Sequence, residues 1–455
     1  MREPRGVGDG RACADRFEQV VVGCGERLNE EVHNPSRQRR VVVSIRRCGR
    51  QLAATVVAVG IVVVGFPALA KDPVARDVAA EVGLNFHGAT LAKTQGETPI
   101  FDYDGDGDQD ILLSTHGGSP WALMQNQGND TFTEVLNGTF YKTDRHGCVD
   151  ADFGSLEGYG RPDGLPDLYC VTGACNGTCK KEYPNSLFIQ RPDHSFVDVA
   201  KSWGVADAHG RGRKALAFDF NNDGLPDIFV ANEGPSIYPP LNRVFKNLGG
   251  RFEEVTASPA NSQQNSECAV SGYIDSDKWR DLVICSRVHS GSGTVTYKNV
   301  NGTFVDVTAS TAYKKLKAVD LKLADLNNDK KQDLLILEGT RFSVWLNVNG
   351  AYPKMNYSFA LKGGRDLAVG DANGDRRQDV FIARGPNDKY QHTMLINNGN
   401  GASFHTIPLP TLTVGNGDTA TTFRNWNNSG RDAFLVTNGI WGIAGPVQMI
   451  TFSDN

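Results

Sequence analysis

A nine-residue acidic motif recurs along most of this chain. Its fullest copy has aspartate at every odd position, and three further copies have aspartate or asparagine at the first, third, fifth and ninth positions. Side-chain oxygens at this spacing in a tight loop suit a hard cation with six to eight oxygen ligands, which favours calcium over magnesium. The ligands predicted from these copies are Asp102, Asp104, Asp106, Asp108, Asp110, Asp219, Asn221, Asp223, Asp227, Asp325, Asn327, Asp329, Asp333, Asp371, Asn373, Asp375 and Asp379.

Degenerate copies of the motif fill the gaps between the full ones. One has Tyr273 in place of the first carboxylate, one is interrupted by an insertion, and one keeps little besides Asp432. With these copies, first positions fall at residues 102, 150, 219, 273, 325, 371 and 424. Repeats of roughly 50 residues indicate a propeller or a solenoid. The additional predicted ligands are Asp150, Asp152, Asp163, Asp167, Asp275, Asp277 and Asp281.

The residues between the motifs favour a propeller. Each motif is followed by a strand-like apolar run such as Leu334–Leu337, then by a second strand, a glycine turn and a third strand. With the short strand before the motif, each repeat has four strands, which make one blade. The last repeat ends near Phe452 without its fourth strand, and residues 74–84 resemble a fourth-strand segment. We therefore predict an all-β, seven-bladed propeller of four-stranded blades, closed by an N-terminal strand.

An EF-hand is excluded by the residue at position 12 of the motif. An EF-hand loop needs a bidentate glutamate there and helices on both sides. Here position 12 is Leu113, Val230, Ile336 or Ile382, each within an apolar run.

The motif followed by an apolar strand resembles the FG-GAP/VCBS repeat of integrin α-subunit propellers. The segment Gly210–Arg213 before one motif is similar to secreted relatives of cartilage acidic protein. The resemblance covers roughly residues 73 to 455. It implies a β-propeller with calcium in the loop between the first and second strands of a blade, but it does not imply one activity.

The metal loops are expected to differ in affinity for calcium. The loop at 102–110 carries five aspartates and should bind most tightly, and the loop at 219–227 has no nearby cation in the sequence. The loops at 325–333 and 371–379 contain Lys330-Lys331 and Arg376-Arg377, whose charges oppose the metal. The copies at 273–281 and 424–432 should be weak or empty.

The N-terminal region differs in composition from the repeats. Residues 1–40 are arginine-rich and are predicted to be a non-native or disordered extension. Residues 41–70 contain an uncharged stretch after Arg46, Arg47 and Arg50, and they end in the small-residue pattern Ala68–Ala70, as in a secretory signal peptide. A signal anchor is the alternative, since about 20 uncharged residues can span a bilayer. The propeller, residues 71–455, is therefore expected to be secreted or held at the cell envelope.

Six cysteines lie after residue 70. Two pairs flank acidic motifs on predicted neighbouring strands, where disulfide geometry can be met, and a third pair could close a small loop. A zinc site is the alternative for residues 148–179. The predicted pairs are Cys148 with Cys170, Cys268 with Cys285, and Cys175 with Cys179.

Ligand binding is predicted on the rim opposite the metal loops, where long connections between strands collect. We expect a monomer that binds a carbohydrate or an extracellular protein. No basic stripe with interleaved aromatic residues points to nucleic acid. No Gly-x-Ser-x-Gly motif is present, and no catalytic residue is predicted. A polysaccharide lyase-like enzyme and an envelope assembly scaffold are the alternatives. The candidate ligand contacts are Arg211, Arg213, Tyr238, Arg287, His289, Tyr390 and His392.

Overall fold

The computed structural model describes residues 72–84, 98–113, 121–135, 145–157, 160–172, 184–234, 241–286, 293–385, 391–410, 419–438 and 445–454. The predicted extension and signal peptide, residues 1–40 and 41–70, lie outside the described residues. The same is true of Cys175, Cys179 and the candidate contacts Tyr238, Arg287, His289 and Tyr390.

The strands form seven four-stranded antiparallel sheets, each of which is one blade. Blade 1 contains β2 (Ile100–Phe101), β3 (Asp110–Leu113), β4 (Ala122–Asn126) and β5 (Phe132–Val135). Blade 2 contains β6 (Arg145–Ala151), β7 (Asp167–Thr172), β8 (Ser186–Gln190) and β9 (Phe196–Asp198). Blade 3 contains β10 (Gly212–Phe218), β11 (Asp227–Asn232), β12 (Arg243–Asn247) and β13 (Phe252–Glu254).

The remaining blades follow the same order along the chain. Blade 4 contains β14 (Ser266–Gly272), β15 (Asp281–Ser286), β16 (Val295–Val300) and β17 (Thr303–Asp306). Blade 5 contains β18 (Asp320–Ala324), β19 (Asp333–Glu338), β20 (Arg341–Trp345) and β21 (Tyr357–Ala360). Blade 6 contains β22 (Gly364–Gly370), β23 (Asp379–Arg384), β24 (Thr393–Asn397) and β25 (Phe404–Ile407). Blade 7 contains β26 (Thr419–Phe423), β27 (Ala433–Thr437), β28 (Val447–Ser453) and β1 (Val74–Asp77).

The N-terminal strand β1 closes the ring, as predicted. It pairs antiparallel with β28, with Val74 opposite Ser453 and Asp77 opposite Ile450. The backbone amide of Val78 also donates to the carbonyl of Met449 at 2.9 Å. The last blade therefore takes its outer strand from the start of the propeller, and this pairing covers an edge that would otherwise be open.

The hydrophobic core lies between the blades rather than in one centre. The second strand of each blade is apolar on both faces, as in β19, because neighbouring blades cover both of its faces. Among the described residues, one buried apolar cluster lies at each successive blade interface. The cluster between blades 7 and 1 contains Ile111, Leu435 and Met449. The ring is thus stabilised at every interface by the same kind of contact.

Two disulfide bonds join the first and second strands of their blades. Cys148 is bonded to Cys170 in blade 2, and Cys268 is bonded to Cys285 in blade 4. Both pairings were predicted, and in both the sulfur atoms are committed to a disulfide rather than to zinc. No described helix is long and apolar enough to span a membrane.

Candidate metal centre in the acidic loops

The acidic motifs connect the first and second strands of the blades, and we number them loop 1 to loop 7 with their blades. The ninth residue of each loop is an aspartate at or next to the start of the second strand. In loop 1, the two carboxylate oxygens of Asp110 accept the backbone amides of Tyr103 at 2.6 Å and Asn126 at 2.7 Å. Loops 2, 3, 5 and 6 repeat this arrangement through Asp167, Asp227, Asp333 and Asp379.

The ninth aspartate is therefore a backbone clamp between its loop and the third strand. Asp110, Asp333 and Asp379 are fully buried. Burial raises the pKa of Asp110 to about 7 and that of Asp379 to about 8, although the accepted amides lower both pKa values. These residues were predicted as metal ligands from their spacing alone. The structure shows that both oxygens of each already accept hydrogen bonds.

Loops 1 to 5 are each also joined to the next blade by a side-chain hydrogen bond. The side chain of Asn247, at the end of β12, donates to the carbonyl of Phe153 in loop 2 at 2.9 Å. The same contact joins blades 2, 4, 5 and 6 to the loop of the preceding blade. The donor and acceptor pairs are Gln190 to Tyr103, Asn299 to Phe220, Asn347 to Ile274, and Asn397 to Leu326. The geometry of a loop is thus coupled to the blade interface.

Loop 1 has the densest set of carboxylates. Asp102, Asp104 and Asp106 place ligand oxygens within 4.8 Å of one another. The amides of Gly105 and Gly107 donate to Asp102 at 2.8 and 3.0 Å, which fixes that carboxylate toward the inside of the loop. Three converging carboxylates form a donor set that fits calcium, whose ligands are oxygens.

Loops 3, 5 and 6 share this backbone with fewer charges. The first aspartate of each loop, Asp219, Asp325 or Asp371, accepts the amide of the sixth residue at 2.6 to 2.8 Å. The third residue is asparagine, whose side-chain oxygen accepts the amide of the fifth residue. An amide oxygen remains a suitable calcium ligand, so these loops also fit the ion.

In loop 2 the register differs from the prediction. Ala151 is paired with Asp167, and Asp167 accepts the amide of Phe153 at 2.8 Å, so Asp152 rather than Asp150 is the first loop residue. Asp150 lies on β6, two residues before the loop. The insertion brings the amide of Gly164 to Asp152 Oδ2 at 2.6 Å. Asp152 Oδ1 is buried and has no hydrogen-bond partner among the described residues, as expected of a ligand atom for a cation.

Protein cations contact several loops, and sequence reasoning missed most of them. Lys246 Nζ lies 3.5 Å from Asp223 Oδ2 in loop 3, so the expectation of no nearby cation there is wrong. Lys298 pairs with Asp275 in loop 4, and Gln125 donates to Asp104 in loop 1. These three side chains, two lysines and one uncharged glutamine, lie immediately before an asparagine that is the last or next-to-last residue of the third strand. That shared position is the signal in the sequence that could have revealed them.

Loops 6 and 7 carry arginines of their own. Arg377 pairs with Asp375 in loop 6. Its positive charge is one of those predicted to oppose a metal ion in this loop. In loop 7, Arg424 occupies the first position, and its Nη1 lies 2.8 Å from Asp432 Oδ2. Within the part of the chain that the structure describes, Lys330 and Lys331 form no ion pair with the carboxylates of loop 5.

On the opposite rim, two predicted ligand contacts are engaged in an ion cluster. Arg211 Nη1 lies 3.1 Å from Glu233 Oε2, and Arg213 also pairs with Glu233. The carboxylate side chain is 4% exposed and the two arginine side chains are 14% and 11% exposed. A role for these arginines in ligand binding stays a prediction, and their observed contacts stabilise the end of β11.

His392 is buried between blades 6 and 7. Its Nδ1 accepts the amide of Arg384 at 3.1 Å, and its Nε2 lies 3.1 Å from Asn438 Oδ1. Burial lowers the pKa of His392 to about 4, so the ring is neutral near pH 7. Asn185 and Asn242 accept the corresponding amide in blades 2 and 3. The contact therefore belongs to the repeat, and ligand binding by His392 stays a prediction.

Comparison with known proteins agrees with this architecture. The family described as FG-GAP-like repeat matches residues 162–230, 219–284, 273–336 and 325–382. Each match runs from one acidic loop to the strand that follows the next acidic loop. Cartilage acidic protein 1 of Xenopus tropicalis is 33% identical over 100 residues, which are 21% of this chain and 14% of that protein. The Homo sapiens protein of that name is 51% identical over 53 residues, 11% of this chain and 8% of that protein.

The matched segments thus span a small part of these relatives. Among solved structures, a crystal structure of BBS1N in complex with ARL6DN, soaked with mercury, is 10% identical with a TM-score of 0.49, and the match covers 80% of this chain and 94% of that chain. Each family match begins in the acidic loop of one blade and ends in the second strand of the next blade. The chain is therefore a seven-bladed β-propeller that contains four FG-GAP-like repeats within residues 162–382.

Proposed function

We propose that this propeller is an extracellular calcium-binding module that binds a protein ligand on the rim opposite its acidic loops. The observation that carries the proposal is the convergence of Asp102, Asp104 and Asp106 within 4.8 Å, in a loop whose backbone recurs around the ring. Three carboxylates so close together repel one another unless a cation offsets their charge.

Calcium would be held by the first, third and fifth residues of each suitable loop. Bound there, it supplies positive charge that offsets the carboxylate repulsion. Because loops 1 to 5 are each joined to the next blade through a residue such as Asn247, a stable loop there also stabilises the blade interface. The residues that would hold the ion are Asp102, Asp104, Asp106, Asp219, Asn221, Asp223, Asp325, Asn327, Asp329, Asp371, Asn373 and Asp375, with Asp152 and Asp163 in the split loop.

The other rim carries long connections between the second and third strands, which supports placing the ligand there. The connection between β7 and β8 runs from residue 173 to 185, whereas the turn between β12 and β13 on the loop rim runs from 248 to 251. Binding residues collect on long connections held by a rigid scaffold. An extracellular location is supported by the two disulfides, which persist in oxidising compartments.

Calcium titration of the secreted protein by calorimetry tests the first part of the proposal. We expect binding heat, a lower Tm after chelation, and a larger loss of affinity in Asp106→Ala than in Asp329→Ala. The absence of both binding heat and a chelator effect on Tm would refute calcium binding.

Binding to arrays of extracellular proteins and of glycans, with and without chelator, tests the second part. We expect binding to proteins that weakens only as the chelated propeller loosens. Binding to glycans alone would assign the rim to carbohydrate, and loss of binding at unchanged Tm would make calcium a direct bridge to the ligand.

A further inference from the structure

Loop 4 differs from the full loops at the position of its first ligand. Tyr273 stands there and is 48% exposed, so no carboxylate faces the start of the loop. The ammonium of Lys298 instead forms an ion pair with Asp275, the third loop residue. Lys298 extends from β16, where it is paired with Val305, and the adjacent Asn299 latches the blade to loop 3. The position of the lysine is thus determined by the strand register.

The rest of loop 4 is closed around this ion pair. Asp275 accepts the amide of Asp277 at 2.9 Å, and Asp277 accepts the amide of Trp279 at 2.8 Å. The turn of blade 5 packs directly over the loop. Gly350 has φ +80°, and a Cβ there would lie 2.6 Å from Asp275 Cβ, so only glycine allows this approach.

Loop 7 also contains an ion pair between a protein cation and a loop carboxylate, but different positions of the loop provide the two groups. Arg424 occupies the first position, where the full loops have aspartate, and its Nη1 lies 2.8 Å from Asp432 Oδ2. Asp432 is the sole carboxylate between residues 424 and 432. It also accepts the amides of Asn425 and Asp371, both at 2.9 Å. This donor set does not fit calcium, which needs several oxygens directed at one point.

We infer that loops 4 and 7 take no metal ion, and that Lys298 and Arg424 supply the positive charge that a bound cation supplies in the full loops. A divalent ion entering loop 4 would have to displace the ammonium from Asp275, and at the first, third and fifth positions it would find two carboxylates, where loop 1 has three. Blades 4 and 7 thus divide the ring into two metal-dependent arcs, blades 1–3 and blades 5–6. The metal-dependent part of this inference rests on the proposed function.

A matched pair of substitutions at the fifth loop position tests the inference. Asp277→Asn in blade 4 and Asp329→Asn in blade 5 make the same chemical change at equivalent positions. Calcium stoichiometry is measured by calorimetry on the full secreted chain. We expect Asp329→Asn to lose one calcium ion per chain and Asp277→Asn to lose none. Loss of one ion in Asp277→Asn would overturn the inference.

Thermal melting in chelator tests the role of Lys298 separately from calcium binding. Lys298→Met leaves Asp275 without its cation, and we expect Tm to fall by about 2 °C, as for a partly exposed ion pair in a chain of this size. The control is Lys278→Met, because Lys278 Nζ lies 5.2 Å from the centre of the Trp279 ring in the same loop and forms no ion pair among the described residues. An equal Tm for Lys298→Met and Lys278→Met would overturn the inference.

The two experiments separate this inference from the proposed function. If the wild-type chain binds no calcium, the proposed function fails, whereas the melting result in chelator still decides whether Lys298 stabilises loop 4. If calcium binds and Asp277→Asn loses an ion, the inference fails and the proposed function stands.

Discussion

Blades 1 and 4 have the same strands but neutralise their acidic loops in different ways. In blade 1, three carboxylates converge, and the residue before the strand-ending asparagine is the uncharged Gln125. In blade 4, the first carboxylate is absent, and the equivalent residue is Lys298, which pairs with Asp275. The clamp at the ninth position is retained in both blades.

This difference separates two roles of the loop residues. The ninth aspartate holds backbone amides and is needed whatever the source of the cation. The first, third and fifth residues are the proposed calcium ligands, and in loop 4 the residue at the third position pairs with a lysine of the protein. The spacing of the motif does not distinguish the clamp residue from the proposed ligands, because aspartate occurs in both roles.

The largest expected effect comes from the clamp that the two blades share. Asp110→Ala and Asp281→Ala each leave buried amides without an acceptor, those of Tyr103 and Asn126 in blade 1 and that of Asn299 in blade 4. We expect each to lower the free energy of unfolding by about 2 to 5 kcal/mol. Chemical denaturation in calcium and in chelator measures this. A tolerated Asp281→Ala would show that the hydrogen bond from Asn299 contributes little to the stability of blade 4.

The next effect concerns pH and lies outside the loops. The pKa of His392 is about 4, below its ordinary value of 6.5, so the unfolded chain binds more protons between these values. The neutral His392 ring contributes its full share to the free energy of unfolding above pH 6.5. This contribution falls by up to about 3 kcal/mol as the pH is lowered toward 4. His392→Asn retains an acceptor, as Asn242 does in blade 3, and should flatten this dependence.

Unfolding free energies between pH 4 and 8 measure the effect of His392. The control is His209→Asn, since His209 is exposed and forms no ion pair among the described residues. An unchanged slope in His392→Asn would assign the pH dependence to other groups. The comparison of blades 1 and 4 is best made above pH 7, where His392 contributes no slope.

Converting blade 1 to the arrangement of blade 4 should give a smaller effect. Gln125→Lys places an ammonium beside Asp104, where it repels a calcium ion in loop 1. We expect the calcium affinity of that loop to fall by about tenfold, which is about 1.4 kcal/mol. Gln125→Met is the control, since it removes the hydrogen bond to Asp104 without adding charge. Equal affinities for the two variants in calorimetry would contradict a competition between protein and metal cations.

The smallest effect is expected in loop 3. This loop retains its first carboxylate, as loop 1 does, and has a lysine beside a carboxylate, as loop 4 does. Lys246 Nζ is 3.5 Å from Asp223 and both side chains are about one-third exposed, so solvent screens the pair. Lys246→Met should tighten calcium binding by about threefold, or about 0.6 kcal/mol. The titration is clearest in a background of Asp106→Ala, Asp329→Asn and Asp375→Asn. Weaker binding in Lys246→Met would show that the lysine supports the loop rather than competing with the ion.

Most of the fold follows from the sequence because its signals are local and repeated. The acidic motif marks a turn, the apolar run after it marks a buried strand, and seven such units with a spare N-terminal strand predict a closed ring. Both disulfides within the described residues were predicted because Cys148 and Cys268 lie on strands joined to their partners by one loop.

Only the tertiary structure shows which acidic loops have a lysine or arginine side chain beside their carboxylates. Lys298 lies 23 residues after Asp275 in the chain, and only the register of β15 against β16 brings them together. The insertion in blade 2 likewise moves the first loop position to Asp152, and Glu233 engages Arg211 and Arg213 from the end of the neighbouring strand. Local spacing determines where a chain turns and which segments become strands. Side-chain partners depend on strand register and blade packing, which join residues that are distant in the sequence.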